Sequence, residues 1–315
     1  MSLSSIHTIA NLGAGTMGHA TALQFALHGY PVYLLDTDST ALQRGMAAIQ
    51  HDLTTFQETD LLTEDPAVIL ARIQPTTDNA TALTSADFVI ESVVEDLTVK
   101  QQVWQTVEQF VGPEVLCATN TSGLSPTAIQ ETLTHPERFV VAHFWNPAQL
   151  MPLVEVVPGE HTSKATVDTT VALMNHIGKH AVPLQKESLG FVGNRIQLAV
   201  LREALHIIDD GIATPEAVDD IIKYSLGRRW SLVGPVASAD LGGLDIFKNI
   251  SAYLYADLAN DTGTDPALTK KVAANQLGLK TGQGFYNWTG DAGKQVVAQR
   301  DRDLLNLLKT DQEHH

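Results

Sequence analysis

His143 closes an apolar run, Phe139–Ala142, and is followed by Phe144-Trp145-Asn146-Pro147. Further along, Glu155 stands in Pro152-Leu153-Val154-Glu155-Val156-Val157, a carboxylate among apolar neighbours. Taking a hydride from an alcohol carbon requires a base for the hydroxyl proton, and imidazole titrates in the right range. A carboxylate buried without a partner is costly. One reading therefore pairs Glu155 with His143, which would orient the ring and raise its basicity. The other reading is a satisfied core histidine and an unrelated surface glutamate. The chain has 12 histidines, so composition does not choose among them. Position favours His143, because ligands of a doubly wound sheet gather at the carboxyl ends of its strands.

A second constellation is Gly13-Ala14-Gly15-Thr16-Met17-Gly18, between an apolar run at Thr8–Leu12 and a helical pattern over Met17–His28. Gly13 permits a tight turn, Gly15 lets backbone approach a pyrophosphate, and Gly18 lets helix pack on strand. The helix N-terminus adds free N–H groups and the positive end of a dipole. Asp36 follows the next apolar run, Val32–Leu35. A carboxylate there accepts hydrogen bonds from an adenosine ribose and repels a 2′-phosphate, with Asp38 adding to the repulsion. The reading is NAD rather than NADP, against the alternative of a solvated acid after a strand.

The elements that must position these groups alternate. Strands are expected at Thr8–Leu12, Val32–Leu35, Phe88–Glu91, Val115–Thr119, Val140–Phe144, Leu153–Val157 and Ala181–Leu184. Helices are expected at Met17–His28, Ala41–Phe56, Val99–Val111 and Lys164–Ile177, with a short one opened by Ser125-Pro126. Beyond about Gln185 only helical spacing remains: Ile196–Ile208, Pro215–Tyr224, Leu244–Ala256 and Pro266–Gln276. The fold class is α/β: a Rossmann-type doubly wound sheet over residues 1–186, then a smaller all-helical domain over 187–315.

Composition narrows the partners. The 315 residues are 44% hydrophobic with a net charge of −16, so phosphate-rich nucleic acid and anionic membranes are repelled over most of the surface. No apolar run reaches the length of a membrane span. The N-terminal residues lack the basic stretch and apolar core of a secretory signal, and the lone cysteine, Cys117, fits a reducing, cytoplasmic setting. The expected ligands are NAD and a small-molecule substrate, without a metal.

Several further motifs stand in order: Asn120-Thr121-Ser122, His143-Phe144-Trp145-Asn146-Pro147, Leu153-Val154-Glu155-Val156, Gly190-Phe191-Val192-Gly193-Asn194-Arg195, and Gly278–Tyr286 (GLKTGQGFY). With the glycine loop, this set resembles the L-3-hydroxyacyl-CoA dehydrogenases over about Ile6 to Trp288. The resemblance implies an NAD-dependent dehydrogenase with His143 as general base and Glu155 as its orienting partner. It places Ser122, Asn146 and Asn194 against the substrate, and Glu95, Lys100 and Asn120 beside the cofactor. It also implies a homodimer built by the helical domain. Taken singly, Ser122 could cap a helix over Leu124–Ile129, Lys100 could be solvated on a helix face, and Asn194 could cap the helix after it.

Within that resemblance the substrate divides. A 3-hydroxybutyryl-CoA type of substrate, as in fatty acid metabolism, is the first reading. The CoA-specific members carry a lysine-rich helical segment after the second strand. Here Arg44 is the only lysine or arginine between Asp36 and Arg72, among Asp38, Asp52, Glu58, Asp60, Glu64 and Asp65. Ser225-Leu226-Gly227-Arg228-Arg229-Trp230 resembles instead the L-gulonate dehydrogenase (lambda-crystallin) branch, which implies Arg229 on a free substrate carboxylate. The alternative for Arg228 and Arg229 is a surface pair at a helix C-terminus, where the dipole favours cations. The related 3-hydroxyisobutyrate and 6-phosphogluconate dehydrogenases share the glycine loop but not the Ser–His–Glu–Asn set. A non-enzymatic lens-type role does not call for that set.

Overall fold

Four strands are buried along their whole length, and they form the middle of one sheet: β1 (Ile9–Leu12), β4 (Phe88–Glu91), β5 (Leu116–Thr119) and β6 (Phe139–Phe144). Helices cover both faces of such a sheet, so its central strands read as continuous apolar runs. The computed structural model describes residues 2–313. Outside the central four lie β2 (Val32–Leu35), β3 (Ile73–Thr76), β7 (Leu153–Pro158) and β8 (His180–Pro183), giving the order β3-β2-β1-β4-β5-β6-β7-β8. The pairings are parallel except β6 with β7, which run antiparallel.

The order reverses between β1 and its neighbours β2 and β4. The crevice beyond the carboxyl ends of β1 and β4 is therefore the topological switch point at which ligands bind in this architecture. The connecting helices are α1 (Gly18–Leu27), α2 (Ser39–Glu58), α3 (Pro66–Ala71), α4 (Asn79–Leu83), α5 (Leu97–Val107), α6 (Pro126–Gln130) and α7 (Lys164–His176). Most begin on a side-chain cap: Asp38 for α2, Asp96 for α5, Ser125 for α6 and Ser163 for α7. The fully buried Trp104 of α5 meets Phe139 of β6 edge-on at 5.0 Å, fixing helix to sheet.

Two compact units result. Residues to Val192, joined by the chain from Arg300, form the first; Gly193–Gln299 form the second. The second unit contains α8 (Gly193–Asp209), α9 (Pro215–Tyr224), α10 (Leu226–Gly242), α11 (Leu244–Leu254) and α12 (Pro266–Ala273). A last helix, α13 (Ala292–Glu313), brings Leu304 and Leu305 onto the core of the first unit. The short helices α3 and α4 carried no expectation, and neither did β3, α10 and α13. The edge strand β3 is Ile-Gln-Pro-Thr, where Pro75 is tolerated because an edge need not donate on both sides. Helix α10 bends at Gly234-Pro235, which masks its period. In α13 the apolar positions are few among charged ones. No helix among the described residues is long and apolar enough to cross a membrane.

Candidate active site

The glycine loop lies at the switch point, as its spacing requires. Gly13 has φ +91°, and a Cβ there would meet the Ser92 carbonyl at 2.7 Å. A Cβ on Gly18 would lie 1.8 Å from the Gly13 carbonyl oxygen. Gly15 differs: a side chain there would meet no protein atom within 4 Å. Packing within the chain thus demands glycine at 13 and 18, whereas at 15 only an approaching ligand would. Helix α1 begins without a side-chain cap, leaving its N-terminal groups for an anion. At the end of β2, Asp36 accepts from the Ala14 N–H at 2.8 Å and from the Asp38 N–H at 3.0 Å. Thr16 is exposed and Met17 half-buried at the mouth of the loop. Pyrophosphate at α1 and ribose at Asp36 fit this arrangement.

Beneath the neighbouring strand ends lies a buried ion pair. Lys100 donates from Nζ to Glu91 Oε1 at 2.6 Å, and the side chains are 1% and 0% exposed. Glu91 also accepts from Thr119 Oγ1 at 2.7 Å and the Val93 N–H at 2.7 Å, so both of its oxygens are engaged. Lys100 reaches Glu95 as well, at 3.5 Å. It is not the solvated helix lysine that spacing allowed. Burial of Glu95 opposes its charge, but hydrogen bonds from Thr121 and Ser122 with the Lys100 charge outweigh that and hold it below the usual carboxylate value.

Glu95 in turn takes the Ser122 N–H at 2.9 Å and the Ser122 hydroxyl at 3.3 Å. The cap of α6 is Ser125, which leaves Ser122 outside that helix. Asn120 accepts from the Phe144 N–H at 2.8 Å and donates to Ser92 at 3.2 Å. It thereby ties the end of β5 to the residue after His143.

His143 and Glu155 form the expected pair. Nδ1 of His143 and Oε2 of Glu155 are 2.9 Å apart, with the side chains 7% and 3% exposed. Because Nδ1 faces a carboxylate it carries a hydrogen, so the neutral form of the ring has its lone pair on Nε2. Two further donors hold Glu155. Trp145 Nε1 reaches Oε2 at 3.4 Å, and the Val192 N–H reaches Oε1 at 3.0 Å. The rings of Trp145 and Phe191 stand 5.5 and 5.7 Å from the imidazole. Asn146 is exposed at the end of β6.

Asn194 and Arg229 belong to the second unit. Asn194 lies within the first turn of α8. Arg229 lies in the first turn of α10, exposed. The surface-pair alternative assumed a helix C-terminus; at this N-terminus the dipole disfavours a cation instead. The GLKTGQGFY segment is a compact turn, with Gly278 N–H donating to the Gln283 carbonyl at 2.7 Å and Lys271 to the Gly284 carbonyl at 2.8 Å.

Residues 8–188 match the NAD-binding domain of 3-hydroxyacyl-CoA dehydrogenases, and residues 190–288 match their C-terminal domain. The chain belongs to the 3-hydroxyacyl-CoA dehydrogenase family. Members are NAD-dependent oxidoreductases acting on CH–OH, and this chain carries their NAD-binding domain. It is 34% identical over 304 residues (96% of this chain, 98% of the relative) to 5-formyl-3-hydroxy-2-methylpyridine 4-carboxylate 5-dehydrogenase of Mesorhizobium japonicum. A crystal structure of an enzyme of that description superposes with a TM-score of 0.91 at 32% identity, covering 98% of this chain and 99% of that one. A 3-hydroxybutyryl-CoA dehydrogenase of Clostridioides difficile is 37% identical over 282 residues, 89% of this chain and 99% of the relative. An L-carnitine dehydrogenase of Bacillus cereus is 34% identical over 317 residues, 98% of this chain and 94% of the relative.

Glu91, Thr119 and Thr121, together with the Val192 N–H, complete this dehydrogenase cleft and carried no expectation. Glu91 had one available signal, a carboxylate ending an apolar strand run.

Proposed function

We propose that this enzyme oxidises a hydroxyl-bearing carbon of a small molecule with a free carboxylate, using His143 as general base. The observation that carries the base is the buried His143–Glu155 pair at the carboxyl end of β6. Glu155 fixes the ring so that Nε2 takes the hydroxyl proton, and its charge favours the imidazolium that forms. Bound NAD supplies the hydride acceptor. Gly13, Ala14, Gly15, Thr16, Met17 and Gly18 cradle its pyrophosphate, and Asp36 takes the ribose. Glu95, Lys100 and Asn120 shape the floor beside it. Ser122, Asn146 and Asn194 hold the substrate oxygens, and Arg229 receives the carboxylate in a bidentate grip.

The free acid is preferred over a CoA ester because α2 and its flanks are acidic. Arg44 is 75% exposed and faces Asp38 at 3.9 Å, while Arg72 is engaged by Glu64. Such a surface is a poor clamp for a polyanionic tail. Relatives whose names specify small carboxylated molecules also align over nearly the whole chain. A second reading, the L-3-hydroxyacyl-CoA ester, rests on the match of both domains to that family.

NADH formation with purified protein separates the two. L-3-Hydroxybutyryl-CoA is compared with free L-3-hydroxybutyrate, L-gulonate, L-carnitine and a pyridine aldehyde carboxylate, which presents a hydroxyl as its hydrate. Turnover of a free carboxylate, with KM raised by Arg229→Met, is expected. Turnover of the thioester alone would overturn the free-acid reading.

We also infer a homodimer formed by the helical unit, because Leu232, Val236, Leu241 and Leu244 stand exposed on α10 and α11. Light scattering should give twice the chain mass. We infer a cytoplasmic location, which a chain with the single cysteine Cys117 fits.

A further inference from the structure

His19 follows the last glycine of the dinucleotide loop, in the first turn of α1, and neither of its ring nitrogens is idle. Nδ1 lies 2.9 Å from the Gly15 carbonyl oxygen, and Nε2 lies 3.5 Å from Asp52 Oδ2 on α2. The same carbonyl accepts the His19 backbone N–H at 3.1 Å. Asp52 is fixed from a third side, because Gln149 Nε2 donates to its Oδ2 at 3.2 Å. Gln149 belongs to the segment that follows His143-Phe144-Trp145-Asn146. One carboxylate therefore links the cofactor loop, α2 and the chain leaving the catalytic histidine.

A neutral imidazole has one N–H and one lone pair. With a carbonyl oxygen against one nitrogen and a carboxylate against the other, the neutral ring must set a lone pair against an acceptor. The imidazolium satisfies both. The side chains of His19 and Asp52 are 14% and 15% exposed, so water only partly screens the pair. Burial opposes the charged ring, but the hydrogen bonds to Asp52 and the Gly15 carbonyl, with the Asp52 charge, outweigh it and hold His19 above its ordinary value.

We propose that His19, charged and held by Asp52, is a positioning residue of the dinucleotide loop that strengthens its grip on the pyrophosphate. It fixes the peptide of Gly15, the one loop glycine whose side-chain space the protein leaves open. It also adds a cation to the helix turn that faces the anion, where the Asp52 carboxylate offsets the helix dipole that disfavours a cation. Asp52 is the titratable group facing the ring from α2, and Gln149 the polar one from the segment after β6. Dinucleotide affinity should therefore fall as His19 loses its proton.

The test is NADH binding to the intact protein, read by nicotinamide fluorescence across about pH 6 to 9, a span that covers a histidine held above its ordinary value. For the wild type, Kd is expected to rise about two- to fivefold across that span, the size of one charge at a helix N-terminus. His19→Gln should bind more weakly at the acid end and lose most of the pH dependence. Asp52→Asn should keep the dependence but move its midpoint to lower pH, since the carboxylate is what raises the histidine. A wild-type Kd that does not change with pH would overturn the proposal. So would a His19→Gln profile parallel to the wild type.

Discussion

His143 and Glu155 are direct cross-strand partners: in the antiparallel pairing of β6 and β7, residue 143 stands opposite residue 155. Opposed residues in a sheet share a face with their Cβ atoms about 5 Å apart. The base and its orienting carboxylate are thus set by backbone register rather than by a loop. His143→Gln should reduce kcat by about 10²–10⁴-fold, the range for loss of a general base, while NADH affinity stays unchanged. Glu155→Gln should also reduce kcat, by a smaller factor, because the ring keeps its place but loses the carboxylate that fixes its tautomer. Comparable turnover in wild type and His143→Gln would remove His143 as the base.

The Glu91–Lys100 pair predicts an asymmetry in stability. Lys100→Met leaves Glu91 wholly buried without its cation, and breaking such a pair costs about 3–5 kcal/mol. Glu91→Gln alone leaves the ammonium only the longer contact to Glu95, at 3.5 Å, and should be damaging too, though less so. Combining the two removes both charges, so the double variant should be more stable than the sum of the singles implies. Denaturant unfolding of the four proteins reads this coupling. Additive losses would mean that the pair contributes no interaction of its own.

Several of these relationships are legible in the sequence alone. The glycine spacing and Asp36 announced a dinucleotide loop because each glycine answers a separate steric demand. His143 and Glu155 stood out because each interrupts an apolar run. The antiparallel turn that brings them face to face has no sequence signal, since β7 reads the same in either direction. Spacing alone leaves Lys100 open to reading as a helix-surface lysine because its partner Glu91 lies in another element. Asp52 looked like one more acid on an acidic helix, and only the packing of α1 beside α2 gives it His19. The surface-pair alternative for Arg228 and Arg229 takes the wrong helix end because only Ser225 separates α9 from the start of α10. Burial and partner identity are tertiary properties, and these were the ones that spacing left open.

Lys179 carries a signed pH dependence. It lies between α7 and β8, with Nζ donating to the carbonyls of Ala148 at 2.6 Å and Met151 at 3.1 Å. Burial lowers its ammonium from the ordinary 10.5 to about 7. Between those values the unfolded chain holds a proton that the folded chain has released, so stability rises with pH in that window. The slope is at most about 1.4 kcal/mol per pH unit for one proton. Below about pH 7 both states are protonated, and the full cost of burying the charge is present. Lys179→Met lacks this titration. Thermal unfolding should therefore show the wild type gaining on the variant from about pH 7 to 9. A constant difference would mean that the amine titrates alike in both states.

Gly15 and Gly18 should separate binding from folding. Gly18→Ala places a methyl group 1.8 Å from the Gly13 carbonyl oxygen, a backbone atom that cannot swing aside. Helix α1 must shift, and a loss of about 1–3 kcal/mol is expected, as for overpacking elsewhere. Gly15→Ala meets nothing in the protein, so its unfolding should stay within about 0.5 kcal/mol of wild type. Its methyl group instead enters the space through which backbone must approach the pyrophosphate. NADH affinity should fall by about tenfold or more, equivalent to about 1.4 kcal/mol. Loss of binding without loss of stability is the signature of a glycine kept for a ligand. A Gly15→Ala protein that binds NADH as tightly as wild type would place the pyrophosphate elsewhere on the loop.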